Sequence, residues 1–242
     1  MGTYNYLLKQ KLSKMIIKFE EVTKIYSPSS PALKNINLEV AKGEMVSLVG
    51  RSGAGKTTLI KLLIGEEKPT EEKVFFEDHL VNEADSKTLA LIRQKIGVVF
   101  QDYKLLSKKT AYDNVAYILM VIGASDEEIK RDVPRVLNIV NLKDKATYYP
   151  YQLSGGEKQR LAIARALIHQ PEVVIADEPS GNLDSSNTWG IIEILKRIHQ
   201  LGTTVIVSTH DREVISQIRE RIITLKDGTI FSDSKDSNFI LC

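Results

Sequence analysis

Cysteine is nearly missing from this chain of 242 residues: its one thiol is Cys242, at the end. A single cysteine closes no intrachain disulfide, which is consistent with a reducing compartment. Long apolar runs are missing too. No stretch of eighteen apolar residues occurs, so no segment reads as a membrane span. The longest candidate, Ala116 to Gly123, reads as a buried helix. No cleavable signal pattern is present. Nor does one charge dominate: 33 basic residues stand against 31 acidic ones, net +2. A dedicated nucleic-acid binder would be more basic or show a basic stripe, so no nucleic acid is expected as partner. Histidine is scarce, and no His/Cys cluster suggests a transition metal. Of the four histidines, His79, His169 and His199 lie in polar or helix-end settings and read as surface residues. The length suits one large α/β core with a small subdomain.

What is present begins with Gly50-Arg51-Ser52-Gly53-Ala54-Gly55-Lys56-Thr57, a full match to the phosphate-cradling pattern G-x-x-x-x-G-K-[ST]. The run Met45–Val49 before it is apolar and reads as a buried strand; Lys56–Ile64 after it reads as a helix closed by Gly65. Glycines let successive backbone N–H groups turn toward an anion, and the helix start offers free N–H groups and a positive dipole end. Lys56 would reach the β- and γ-phosphates, and the Thr57 hydroxyl would ligate Mg²⁺.

A second apolar run, Val173–Ala176, ends in Asp177 and Glu178. Ligands bind at the carboxyl ends of strands in open α/β sheets. Asp177 suits Mg²⁺ there, and Glu178 suits polarising an attacking water. A third run, Thr204–Thr209, ends in His210 on the same edge.

Ser154-Gly155-Gly156-Glu157 is a capping box at the head of a helix over Lys158–His169, with Pro171 beyond its end. A cap does not need two glycines, so they are expected to admit a ligand to the helix start. Since the phosphate loop already cradles this chain's phosphates, that ligand is expected to be the ATP of a second subunit.

With Gln101 and Ser180–Asp184 added, this set resembles the ATP-binding-cassette ATPases, in order and spacing, over about residues 15 to 231. The resemblance implies an α/β P-loop NTPase fold: a nucleotide-binding domain with a mostly parallel core sheet, an antiparallel β flank and an inserted helical subdomain. It implies ATP hydrolysis with ATP and Mg²⁺ as ligands. Gly50, Ser52, Gly53, Ala54, Gly55, Lys56, Thr57 and Thr58 then form the phosphate cradle. Tyr26 matches the aromatic that stacks on adenine. Gln101 matches the glutamine that senses Mg²⁺ and the attacking water and links them to a transmembrane partner; Thr57, Gln101 and Asp177 are the metal set. Ser154 and Gly156 match residues that touch the γ-phosphate across a homodimer formed on ATP binding. Asp184 matches the aspartate of the neighbouring loop, and His210 the switch histidine. Glu178, His210, Lys56 and Gln101 are the catalytic set.

Within the family, Phe100–Leu106, Ala176–Asp184, Trp189, Gly202–Val205 and Thr209–Glu213 are closest to the branch serving bacterial cell division. Lipoprotein-releasing and macrolide-export ATPases share part of this pattern and are the alternative. The implied partner is an integral membrane protein whose cytoplasmic helix docks in a groove between core and helical subdomain, holding this chain peripherally at the cytoplasmic face of the membrane. Tyr103, Leu105 and Leu106 are either the wall of that groove or ordinary subdomain core.

Along the chain, residues 1–14 are expected to be a disordered leader. Ile16 to about Thr88 alternate in strand fashion around the first helix. Residues 102–149 carry helices over Tyr112–Ile122 and Ser125–Val140, the second containing Pro134. Ile222–Leu225 and Thr229–Phe231 flank the turn Asp227-Gly228 as a hairpin. The tail, Ser232 to Cys242, is expected to fray.

Overall fold

A computed structural model describes residues 15–27, 30–181 and 183–234. The leader expected over 1–14 lies outside the described residues.

Two sheets make the frame. The first is antiparallel: β1 (Met15–Ser27), β2 (Ser30–Ala41), β4 (Glu71–Phe76) and β5 (His79–Leu80) pair in the order β2-β1-β4-β5. The second comprises β3 (Met45–Val49), β6 (Ile96–Val99), β7 (Val173–Asp177), β8 (Thr204–Thr209), β9 (Arg221–Lys226) and β10 (Thr229–Ser234), in the order β10-β9-β3-β8-β7-β6. Its strands run parallel except β10, the return of the hairpin.

Successive side chains of a strand point to opposite faces. In the second sheet β3, β7 and β8 are covered on both faces and buried at every position, which is why they read as mainly apolar runs, whereas β10 at the edge is not. Met45, Val174, Ala176, Val205 and Val207 face one core cluster, built with helices. Val46, Leu48, Val173, Ile175 and Ile206 face the other, built with the antiparallel sheet. The helices are α1 (Lys56–Leu63), α2 (Ser86–Gln94), α3 (Ala111–Val121), α4 (Asp126–Ile139), α5 (Gly155–Leu167), α6 (Ser185–Gln200) and α7 (Arg212–Ile218).

Several expectations are corrected. Strand-like alternation does not persist to Thr88, because Asp85 caps α2 by accepting a hydrogen bond from Thr88 N at 2.7 Å. The segment around Ala116–Gly123 is not a buried helix: α3 buries Ala111, Val115, Ala116 and Leu119 but exposes Tyr117, Met120 and Val121. Strand β10 runs to Ser234, past the expected start of the tail, because Arg221 grips Asp233 with two hydrogen bonds of 2.7 and 2.6 Å. His79 is exposed as expected, but His169 and His199 are not surface residues. Both ring nitrogens of His169 and Nδ1 of His199 are buried. The chain leaving α5 carries His169 into a groove beside Ile96, and burial pushes its imidazole below the ordinary histidine range.

The stretch between β6 and α3 has no regular structure, yet one side chain organises it. Asn114, fully buried in α3, accepts from Leu106 N at 2.8 Å and donates to the carbonyls of Leu106, Lys109 and Thr110 at 3.1, 3.1 and 2.9 Å. The carboxamide is thus the partner of Leu106 N and Lys109 O and a second donor to the carbonyls of Leu106 and Thr110, which also accept from Lys109 N and Asn114 N.

Candidate active site

Parallel strands deliver their following loops to one edge. Gly50 follows β3, Gln101 follows β6, Glu178 follows β7 and His210 follows β8. At that edge a cavity of about 240 Å³ is lined by Ser52, Gly53, Gly55, Lys56, Thr57 and Thr58 together with Gln101, Glu178 and His210. A neighbouring hollow of about 550 Å³ shares Thr57 and Gln101 and adds Asp177. Residues more than 150 positions apart thus meet in one place.

The loop before α1 turns through Gly55, whose φ of +107 and close approach to Ala32 O (2.8 Å from where a Cβ would stand) leave room for glycine alone. Buried Lys56 folds back into the loop. Its Nζ donates to Gly50 O at 2.7 Å and Arg51 O at 3.3 Å, and pairs with Glu178 Oε1 at 3.1 Å. The other Glu178 oxygen lies 2.9 Å from His210 Nδ1. Glu178 stands at φ +48, a left-handed backbone that a non-glycine residue keeps only when its surroundings impose it. Its N–H is held by Ser208 O at 3.0 Å and Ser208 Oγ at 3.2 Å.

Asp177 is fixed by the same serine. Ser208 Oγ donates to Asp177 Oδ1, and Thr57 Oγ1 donates to Asp177 Oδ2 at 3.1 Å. Two oxygens that far apart match adjacent corners of an octahedron with metal–oxygen bonds of about 2.1 Å, so Thr57 and Asp177 fit Mg²⁺. Ser208 was missed in the sequence. Its signal was a hydroxyl at the end of the strand, two residues before His210. Gln101 is exposed, its amide beside Gly181, so the loops after β6 and β7 touch.

A sequence profile of the family described as ABC transporter matches residues 33–181. The chain is 44% identical over 224 residues to the cell division ATP-binding protein FtsE of Bacillus subtilis, covering 93% of this chain and 98% of that one. It is 46% identical over 222 residues to the protein of that name from Mycobacterium tuberculosis, covering 91% and 96%. The dimeric ATP-binding cassette MJ0796, solved in a post-hydrolysis state with ADP and Pi, superposes with a TM-score of 0.83 at 38% identity, covering 93% of this chain and all of that one. This chain belongs to the ABC transporter family. It is an ATPase of the cassette type.

Not every expected site residue of the cassette lines the cavity. Tyr26, at the end of β1, is exposed, with Lys24 Nζ 4.8 Å from its ring centre. Gly50 and Ala54 line a separate hollow against the β9–β10 turn, although the Gly50 carbonyl holds Lys56. Ser154, Gly156 and Asp184 are absent from the cavity wall. Ser154 caps α5, its Oγ accepting from Glu157 N at 3.3 Å while Glu157 Oε2 accepts from Ser154 N at 2.8 Å. Lys145 and the Ser154 N–H hold the Glu157 carboxyl below its ordinary value. Asp184 caps α6, accepting from Asn187 N at 2.8 Å and Asn187 Nδ2 at 2.9 Å.

The glycine pair also meets a constraint inside the chain. Gly156 is buried, and a Cβ on it would collide with the carboxamide of Asn187. Its smallness therefore has a reason inside the chain: helix α6 packs its first turn on α5. The expected groove wall also shifts. Tyr103 and Leu105 pack against the helix-side core, whereas a groove of about 490 Å³ lies beside them, lined by Ile64, Ala90, Phe100, Ile118, Val121 and Ile122 among others.

Proposed function

We infer that this cassette is the ATP-hydrolysing subunit of a cell-division complex, acting on an integral membrane partner that resembles FtsX. One observation carries the reading: Lys56, Thr57, Gln101, Glu178 and His210, drawn from four strand ends, line one cavity, while Ser154 caps a helix that stands outside it. The relatives named FtsE, similar over almost the whole chain, favour division over export.

The chemistry follows from the residues. Lys56 Nζ and the N–H groups at the start of α1 bind the β- and γ-phosphates. Thr57 and Asp177 would hold Mg²⁺, which neutralises charge on those phosphate oxygens when bound. Glu178 orients a water and takes its proton as the water oxygen bonds to the γ-phosphorus. The bond from that phosphorus to the bridging oxygen breaks, leaving ADP and phosphate. His210, already beside Glu178, meets the γ-phosphate, and Gln101 meets both water and cation. Tyr26 stacks on adenine. Two copies close head to tail, so that Ser154 and Gly156 of each face the γ-phosphate held by the other and Asp184 lies at their seam.

Closure does work by moving the partner. No helix among the described residues is long and apolar enough to cross a membrane. The groove beside α3, with Tyr117, Met120 and Val121 exposed at its side, is the surface that would take a cytoplasmic helix of the partner and hold this chain at the cytoplasmic face of the membrane. Val121→Glu should abolish co-purification with the membrane protein while leaving ATP binding unchanged. Retained co-purification would move the docking site elsewhere. Mass spectrometry of the partner captured by the parent protein separates a division complex from an exporter.

A further inference from the structure

Arg165 lies on α5, the helix that Ser154 caps. Its side chain is half-buried, and no carboxylate forms an ion pair with it among the described residues. Instead its fork spans two consecutive carbonyls: Nη2 donates to Tyr103 O at 2.9 Å, and Nη1 donates to Lys104 O. Burial without a counter-charge lowers its pKa from the ordinary arginine value.

The two carbonyls belong to an unusual stretch of backbone. Tyr103 has φ +60 and Lys104 φ +49, two successive left-handed residues, neither of them glycine. A Cβ in that region crowds the following carbonyl, and such residues normally occur singly. They persist only where the surroundings over-determine them. The turn is tight: Tyr103 N donates to Phe100 O at 3.1 Å and Lys104 N to Asp102 O at 2.6 Å. It begins at the residue beside Gln101, whose side chain lines the cavity holding Lys56 and Glu178. Beyond it, Asn114 pins Leu106.

We propose that Arg165 is a positioning residue: by bridging the carbonyls of Tyr103 and Lys104 it holds the strained turn that aims Gln101 into the cavity. The helix capped by Ser154 and the loop bearing Gln101 then move as one body. Arg165 also lines the groove beside α3, so whatever enters that groove meets the clamp. The inference rests on the hydrolytic reading of the cavity only for its kinetic consequence; the clamp itself is testable without nucleotide.

The test compares Arg165→Lys, which keeps the charge but loses the planar fork, with Arg165→Lys/Lys104→Gly, in which glycine accepts the left-handed backbone without strain. In nucleotide-free protein, amide hydrogen exchange of the peptide spanning residues 100–106 should rise about tenfold in the single variant, with other peptides unchanged. With ATP, kcat should fall about tenfold at a KM within twofold of the parent, as expected for a displaced reacting group. The double variant should bring both back toward the parent. Lys104→Val, an exposed change that disfavours the turn while leaving Arg165 in place, should reproduce the kcat loss and serves if Arg165→Lys does not fold.

Unchanged exchange and kcat in Arg165→Lys would overturn the proposal. So would exchange rising evenly along the chain, a Lys104→Val variant of parental kcat, or a double variant no better than the single. If no variant or parent hydrolyses ATP, the hydrolytic reading has failed, and the exchange of residues 100–106 still decides the clamp.

Discussion

Lys56 Nζ and Glu178 Oε1 form an ion pair of 3.1 Å inside the cavity, and the same carboxylate reaches His210 at 2.9 Å. On the proposed reading an incoming γ-phosphate would compete with Glu178 for the lysine, so that binding the substrate would free the base. Glu178→Gln should therefore keep ATP binding and lower kcat by about 10²–10⁴-fold, the range for a lost general base. Lys56→Ala should instead weaken binding itself. Equilibrium binding of a fluorescent ATP analogue and steady-state phosphate release separate the two; parental turnover by Glu178→Gln would remove it as the base.

Since Ser154 caps a helix outside its own chain's cavity, the slowed variant should trap a pair. Glu178→Gln with ATP and Mg²⁺ should sediment as a dimer, and adding Ser154→Arg should return it to monomer. A Ser154→Arg double variant that still pairs would place the seam elsewhere.

Gly156 offers a purely structural test. Gly156→Ala drives a methyl into the Asn187 carboxamide and should destabilise the fold by about 1–3 kcal/mol, the usual cost of overpacking. Asn187→Ala in the same chain opens the space and should recover most of that loss in urea unfolding. No recovery would mean that the strain lies in the helix backbone, not between α5 and α6.

The cap of α5 also predicts a response to acid. Lys145 and the Ser154 N–H keep the Glu157 carboxyl below its ordinary value near 4.5. A carboxyl depressed on folding contributes stability above its unfolded pKa and loses it as pH falls through the folded one. Between about pH 5 and pH 3 the parent should thus lose more stability than Glu157→Gln, which has no proton to gain there. Parallel loss in both proteins would assign the acid response to other carboxylates.

The elements legible in the sequence were the local ones. The β3–loop–α1 unit, the box at Ser154 and the Asp227-Gly228 hairpin each depend on residues within a few positions, so pattern reading reached them. Illegible were features whose cause lies far along the chain. The buried Asn114 looked like any helix residue until its carboxamide was found bound to Leu106 N and to the carbonyls of the loop before it. Ser208 serves Asp177, and Asn187 explains Gly156; neither pairing has a spacing rule. The outward apolar face of α3 read as core because hydrophobicity alone does not say what will cover it. At Tyr103–Lys104 local preference points away from the observed backbone, and a distant arginine prevails.

The order of the second sheet sets a schedule for folding. Strand β3, which carries the phosphate loop, and β7, which carries Asp177, make no backbone bonds to each other; β8 lies between them. A chain emerging from the ribosome can pair β6 with β7 early, but it has no strand to join that pair to β3 until Thr204–Thr209 is synthesised. Contacts so distant in sequence are slow to close. Lys56 and Glu178 therefore meet late, and a fragment ending before residue 204 lacks the seam that brings them together.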